Sequence, residues 1–533
     1  MRRWIVWRGF SPDRRTQGPS RAGWASLLGL VFLTAGCAGV SVPFFGTEPV
    51  ATPELLEIRD GPPMDQLQWG IFVAEVDSVE VNGPEGAGWS PALTPLVEEG
   101  AHRKFIPASN MKLPLTAAAL SRLGPDYRYE TAFYATAEQD GDFLRGDLIL
   151  PARGDPTLGE PFRSSGEAAL EELADSLVAT GVRVVEGALV VDVSAWDSTS
   201  VPDSWMLGNL MQAYGAGAGA FVVDRGRLNV VARGDPFPGR PAQLRWSPLG
   251  EPDFLENQVT TVEEAESGTP LEVHFGPERR QATVSGGVPP ARTDSVQVAI
   301  RDPVRQAAAL LHRLLLDRGV EIHFGLHILW EEGEPLGAGC ESGSIRECDS
   351  ARRLAALESP PLSEIAVPIL ARSDNWISEQ LARTLGMEVG GRGELTQGLE
   401  VVREFLLEDV GVDSLDFQLR DGSGLSTQNL LTPRAVAQIL HHVESEGWAT
   451  VYRQALAAPG RPESTLEDVL PELEGRLFAK TGTLTNVNSL SGYLDREDGR
   501  RLVFSILTNG SGLPADPVRS RLHEMVRILD SAP

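Results

Sequence analysis

Ser109-Asn110-Met111-Lys112 places a hydroxyl and an amine three residues apart. On a helix that spacing sets both on one face, near enough for the amine to take the hydroxyl proton. Serine is a poor nucleophile until a base removes that proton, and a lysine whose proton affinity is lowered by burial can be the base. Ser373-Asp374-Asn375 offers a second hydroxyl, able to relay a proton to a departing amine, and an amide able to orient a substrate backbone or the lysine. The same residue types favour a helix N-cap, so both readings stand at this point. Lys480-Thr481-Gly482-Thr483 closes a predicted strand and offers a cation and two hydroxyls to a substrate carboxylate. Gly482 has no side chain, which would let an extended ligand lie against the strand as an added one. A strand end with a solvated lysine is the bland reading of that motif.

Composition sharpens these motifs. Of 47 basic residues in a chain of 533, only Lys104, Lys112 and Lys480 are lysine. Arginine stays protonated at any working pH, whereas lysine can be desolvated into a base, so a lysine retained in an arginine-rich chain is a candidate for chemistry. The formal charge of -27 would repel phosphate backbones, and there is no basic patch to offset it, so nucleic acid is excluded as a partner. There is no G-x-S-x-G, no H-E-x-x-H and no phosphate-binding loop. His323 and His327 fall on a strand-like stretch and need not converge. No metal site and no cofactor are expected.

In the order S-x-x-K, S-D-N, K-T-G the three motifs resemble those of the penicillin-recognising active-serine enzymes, and two of the three lysines fill that signature's lysine positions. The long interval between Ser109 and Ser373 narrows the likeness to the D-alanyl-D-alanine carboxypeptidase/endopeptidase family of the PBP4 (DacB) type, peptidase family S13. Flanking runs resemble it too: Gly154-Asp155-Pro156-Thr157-Leu158, Glu379-Gln380-Leu381, Asp421-Gly422-Ser423-Gly424-Leu425-Ser426 and Leu490-Ser491-Gly492-Tyr493. The resemblance implies an α/β (α+β) fold: a β-lactamase/transpeptidase-like domain with an antiparallel sheet flanked by helices, plus a mostly β insertion. It implies Ser109 as nucleophile, Lys112 as its base, Ser373 and Asn375 as proton relay and orienting amide, and Lys480, Thr481, Gly482 and Thr483 as the substrate-carboxylate side. The backbone N–H groups of Ser109 and Thr483 would form the oxyanion hole. The implied partners are peptidoglycan stem peptides, with β-lactams as acylating inhibitors. Two other readings share the fold: a β-lactamase or esterase, and an envelope scaffold without catalysis.

The sequence departs from that family in places. Pro114 sits where it should disturb the opening turns of the Ser109 helix. Gly215-Ala216-Gly217-Ala218-Gly219-Ala220 superficially resembles a dinucleotide loop, but a strand-like Phe221-Val222-Val223 follows where a helix is required, so it reads as a flexible turn.

The leader gives an address. Ala22 to Gly36 is an uncharged, leucine-rich run of signal-peptide length, ending in Leu33-Thr34-Ala35-Gly36-Cys37, which resembles a bacterial lipobox. Cys37 is thus the expected lipidation site and the only membrane attachment, and the protein is expected to be a periplasmic or extracytoplasmic lipoprotein. Cys340 and Cys348, in a Gly/Ser/Glu-rich stretch, are expected to close a local disulfide.

Length alone suggests roughly three to four structural units at ~150 residues each. The expected organisation is a signal peptide (1–36), a tether (37–60), a discontinuous transpeptidase-like domain (61–132 and 350–533) and an inserted, mostly β region (133–349) of two modules. Strands are expected at Trp69–Val76, Arg476–Leu484, Ser489–Leu494 and Arg501–Thr508, the first leading into a turn at Asn82–Gly88. Helices are expected at Ser109–Leu120, Glu167–Ala179, Pro303–Leu316, Leu362–Arg372, Trp376–Leu385, Thr396–Glu408, Pro433–Val443 and Val518–Leu529. The Ser109 helix is so apolar that it should be buried.

Overall fold

The computed structural model describes residues 53–76, 93–248, 255–263, 268–275, 282–330 and 351–531. The leader, Cys37, the Asn82–Gly88 turn, Cys340 and Cys348 lie outside the described residues. No helix among the described residues is long and apolar enough to cross a membrane.

The centre is an antiparallel five-stranded sheet built from β1 (Gln68–Glu75), β2 (Thr94–Glu99), β3 (Leu477–Leu484), β4 (Val487–Asp495) and β5 (Arg501–Asn509), in the order β2-β1-β5-β4-β3. Its strands are apolar on both faces because both are covered. Along β1, Phe72 and Ala74 join one hydrophobic core while Ile71 and Val73 join another, the two-residue alternation of a pleated strand. The first core is helical and includes α1 (Lys112–Leu123), α2 (Leu362–Leu370), α3 (Asn375–Gly390) and α4 (Pro433–Glu444); the second lies under α5 (Ala515–Ser531). The fold is therefore a mixed α/β one, with an antiparallel sheet flanked by helices.

α1 is buried from Lys112 to Leu120. Each buried leucine contributes about 1.5–3 kcal/mol, and this burial offsets the cost of taking the Lys112 amine out of water. Ser109 is not on the α-helix itself: Ala108–Met111 is a 3-10 turn that feeds it. Pro114 is the third residue of α1, where its missing N–H is one that the first turn leaves unbonded anyway, so the α-helix opens without a break.

The chain leaves the central domain through Glu130–Ala135 and returns through Arg352–Glu358, and these two strands pair antiparallel. They belong to a second five-stranded sheet in which Leu148–Pro151, Leu189–Asp192 and Leu326–Leu329 run parallel. Helices Gly166–Ala179 and Pro303–Asp317 contribute buried leucines beside this sheet, and both have side-chain N-caps, Ser165 and Asp302. Nested between those helices, strands from Arg227 to Ala299 make two three-stranded sheets around a core that includes Val230, Val259, Val284 and Val298. The interval 133–349 thus holds an α/β layer as well as an all-β part. The alanine-glycine run 215–220 is not a flexible turn: it is buried throughout, and Phe221–Val223 continues it as irregular backbone rather than a strand. Apolar packing and main-chain hydrogen bonds to α3 replace the regular pairing that a strand would have made.

Candidate active site

The edge strand β3 dictates half of the site. Ala479 exchanges both backbone hydrogen bonds with Ala457, on the side away from β4. In an antiparallel strand bonding direction alternates residue by residue, so the N–H and C=O of Thr481 and Thr483 also face that open edge, while Lys480 and Gly482 pair inward with Ser491 and Ser489. The Ser109 turn sits directly on this strand. Asn110 Nδ2 donates to the Lys480 carbonyl at 3.0 Å, and Ser489 Oγ donates to the Pro107 carbonyl at 2.8 Å. A Cβ on Gly482 would stand 3.0 Å from both Ser109 N and Pro107 O and 2.2 Å from Ser489 Oγ. The space left by the missing side chain is therefore filled by the nucleophile turn, rather than kept as an open groove for ligand.

Lys112 is fully buried, and its Nζ meets three acceptors: Ser109 Oγ at 3.1 Å, Asn375 Oδ1 at 2.8 Å and the Ser423 carbonyl at 2.5 Å. Asn375 and Ser423 hold two of the amine's hydrogens, which leaves its third tetrahedral position aimed at Ser109. When the amine is neutral that position is a lone pair able to accept the hydroxyl proton. Burial pulls the Lys112 pKa down to about 8, even though Asp421, Asp374 and Glu379 all raise it. Lys480 is also fully buried, with Nζ donating to the Thr481 carbonyl at 2.9 Å. Burial and then the nearby Lys112 charge push it well below the ordinary lysine range.

The Ser373-Asp374-Asn375 turn divides its contacts between the helix cap and the lysine. Asp374 is the N-cap of α3, its Oδ1 accepting from Ile377 N at 3.0 Å, and Asn375, the first helical residue, reaches Lys112. Ser373 precedes the cap in the left-handed region at φ 64°, and Ala108, just before the nucleophile, is left-handed at φ 48°. Two non-glycine residues in this sparsely populated region flank the reactive groups.

A cleft of about 360 Å³ opens over these groups, lined by Ser109, Asn375 and Thr483 together with Met206, Tyr214 and Leu425 among others, none of them charged. Thr481 turns its hydroxyl to Thr465 at 2.8 Å. The structure thus brings Ser109, Lys112 and Asn375 into direct contact, puts Thr483 on the same cleft and Lys480 behind it, and leaves Ser373, Thr481 and Gly482 beside it rather than lining it.

Sequence reasoning gave no role to the Asp421–Ser426 loop, although the run stood out. Asp421 is buried and accepts four hydrogen bonds: Gly424 N at 2.8 Å and Asn429 Nδ2 at 2.6 Å on one oxygen, Ser426 N at 2.6 Å and Trp205 Nε1 at 2.8 Å on the other. Glu379 Oε1 accepts from Gly422 N at 3.0 Å and Ser423 N at 2.8 Å. Burial and then the Asp421 charge raise the Glu379 pKa, and the buried Arg383 opposes them. Together the two carboxylates fix the loop whose Ser423 carbonyl holds Lys112. The two acids themselves carried no signal among 74 acidic residues; only the runs in which they sit stood out.

Comparison with known proteins gives the family and the fold. Residues 90–532 match the D-Ala-D-Ala carboxypeptidase 3 (S13) family. A D-alanyl-D-alanine carboxypeptidase of Actinomadura sp. (strain R39) is 32% identical over 441 residues, 79% of this chain and 77% of its own. D-alanyl-D-alanine carboxypeptidase DacB of Haemophilus influenzae is 23% identical over 411 residues, 76% of this chain and 81% of its own. The crystal structure of penicillin binding protein 4 from Haemophilus influenzae has the same fold, with a TM-score of 0.72 at 21% identity over 90% of this chain and 100% of that one.

Proposed function

Because the chain belongs to the D-Ala-D-Ala carboxypeptidase 3 (S13) family, we propose that its cleft cleaves the terminal amide of peptidoglycan stem peptides through an ester on Ser109. By family the protein is a serine-type D-alanyl-D-alanine carboxypeptidase, and penicillins are expected to acylate it as substrate mimics. The observation that carries the mechanism is the Lys112 amine, held between Ser109 Oγ and Asn375 Oδ1 with a pKa of about 8.

The neutral Lys112 amine takes the Ser109 proton, and the oxygen attacks the carbonyl of the penultimate D-Ala. Negative charge develops on that carbonyl oxygen only in the transition state, and the N–H groups of Ser109 and Thr483, the latter facing the open edge of β3, are the donors for it. As the amide C–N bond breaks, Ser373 relays to the departing D-Ala nitrogen the proton that Lys112 took from Ser109, and Asn375 keeps Lys112 in place. The substrate carboxylate lies along β3, held by Lys480, Thr481 and Thr483. Its arrival restores the Lys480 charge that burial disfavours. Water then hydrolyses the ester, the step that a β-lactam blocks by leaving an acyl group that turns over slowly. The enzyme acts outside the cytoplasm. We assign Cys37 as its lipid anchor and Cys340–Cys348 as a disulfide on the sequence reading alone.

Monomeric and cross-linked muropeptides followed by mass analysis test this function. Loss of D-alanine from the monomer, and cleavage of the cross-link if the enzyme is also an endopeptidase, are expected for wild type. Neither is expected for Ser109→Ala, which should also lose labelling by a fluorescent penicillin by at least about 10³-fold. A folded wild type that releases no D-alanine and takes no label would overturn the reading.

A further inference from the structure

The alanine-glycine run and the residues after it lie along the helix that carries Asn375. Asn375 Nδ2 donates to the Tyr214 carbonyl at 3.3 Å, Trp376 Nε1 to the Gly217 carbonyl at 2.8 Å, and Gln380 bonds both the N–H and the C=O of Gly219 at 2.9 Å. The Tyr214 contact sets which way the Asn375 amide faces: with Nδ2 given to a carbonyl, Oδ1 is left for Lys112. A Cβ on Gly215 would fall 2.0 Å from the Asn209 carbonyl, and one on Gly217 would fall 2.8 Å from the Ser200 side chain. These glycines serve close approach and not mobility.

The strap ends at an ion pair. Arg225 Nη1 lies 2.8 Å from Asp374 Oδ2, with side-chain exposures of only 20% and 8%. Asp224, Arg225 and Gly226 are left-handed in succession, at φ 48°, 57° and 64°. Such backbone persists where contacts over-determine it: Asp224 Oδ1 accepts from Gly166 N at 2.7 Å, and its N–H donates to the Leu158 carbonyl at 2.9 Å. The turn delivers the Arg225 guanidinium to Asp374, the cap of α3.

We propose that Arg225 is a positioning residue for acylation: by pairing with Asp374 it fixes the Ser373–Asn375 turn, so that the Asn375 amide oxygen meets Lys112. The proposal rests on the acyl-enzyme reading above. It also has an electrostatic side. Lys112 is faced by Glu379 and Asp374 from α3 and its cap, by Asp421 from the 421–426 loop and by Lys480 from β3, and Asp374 is in turn faced by Arg227 and Arg225. Burial would raise the Asp374 pKa, but those two arginines hold it below the ordinary carboxylate range.

Removing either partner of the pair should therefore shift Lys112 in opposite directions. Arg225→Gln leaves Asp374 less compensated, so the midpoint of the pH profile for acylation by a fluorescent penicillin should rise. Labelling at pH 7 should then slow about tenfold for every pH unit by which the midpoint moves up. Asp374→Asn keeps a capping side chain but removes the anion, so the midpoint should fall. Arg225→Lys should restore a profile close to wild type. A role confined to holding the fold would change the thermal midpoint and leave both profiles where they are, and that result would overturn the proposal. If Arg225→Gln does not fold, Asp374→Asn, which breaks the same pair, remains the deciding variant: its limiting acylation rate at high pH should fall, and an unchanged limiting rate would overturn the proposal. A wild type that takes no label at Ser109 would sink the acyl-enzyme reading, whereas labelled wild type with unshifted variants would sink only the role of Arg225.

Discussion

The two turns that face each other across the cleft are built differently. The Ser109 turn is locked by its immediate neighbours: it packs on β3 through Asn110, Ser489 and the bare Cα of Gly482, and its base is three residues along the same chain. The Ser373–Asn375 turn is held from far away, by Arg225, the Tyr214 carbonyl and the Gly217 carbonyl of the insertion. A nucleophile and its base need a fixed short distance, which one helical turn supplies. The groups that steer the base can come from any element that reaches them.

That difference can be broken from the first side. Gly482→Ala puts a methyl carbon within 3.0 Å of Ser109 N. A displacement of order 1 Å at a reacting atom costs roughly 10²-fold, so penicillin labelling should slow by about that factor while the thermal midpoint falls only modestly. Labelling at the wild-type rate would show that the turn has slack. The pH profile of the wild type sharpens the comparison at Lys112, where the two sides meet. With a pKa of about 8 and the neutral amine as the reactive form, the acylation rate constant should rise about tenfold per pH unit below that value and level off above it. A flat profile from pH 6 to 9 would remove Lys112 as the base. The smallest effect is expected at Trp205, which reaches Asp421 from the insertion. Trp205→Phe removes one of four donors to that carboxylate and should cost about 1.5–3 kcal/mol in a denaturant titration, with acylation nearly unchanged.

How legible each side was in the sequence follows from the same contrast. Ser109, Lys112 and Lys480 stood out because their spacing is local and their amines are rare, and the central strands and helices showed their periods plainly. Asp374 could be read as a cap, which it is, and the amide of Asn375 as a group that orients the lysine, which it contacts. What stayed hidden was main-chain chemistry. The Ser423, Tyr214 and Gly217 carbonyls leave no trace in side-chain pattern, and a run of small residues reads alike whether it is loose or buried against a helix. Arg225 was one arginine among many until a left-handed turn aimed it. The chain order also concealed that Gly482 makes room for Ser109, because contacts between residues so far apart are visible only once the sheet is assembled.

The strands Glu130–Ala135 and Arg352–Glu358 run side by side. To the central domain, then, everything between them begins and ends at a single doorway. Lengthening a chain whose ends are already joined adds only a logarithmic entropy cost, about 0.6 kcal/mol per doubling. Length can be gained in exposed loops beyond that doorway over evolutionary time at little expense, provided Trp205, the stretch from Tyr214 to Gly219 and Arg225 keep their contacts with the site.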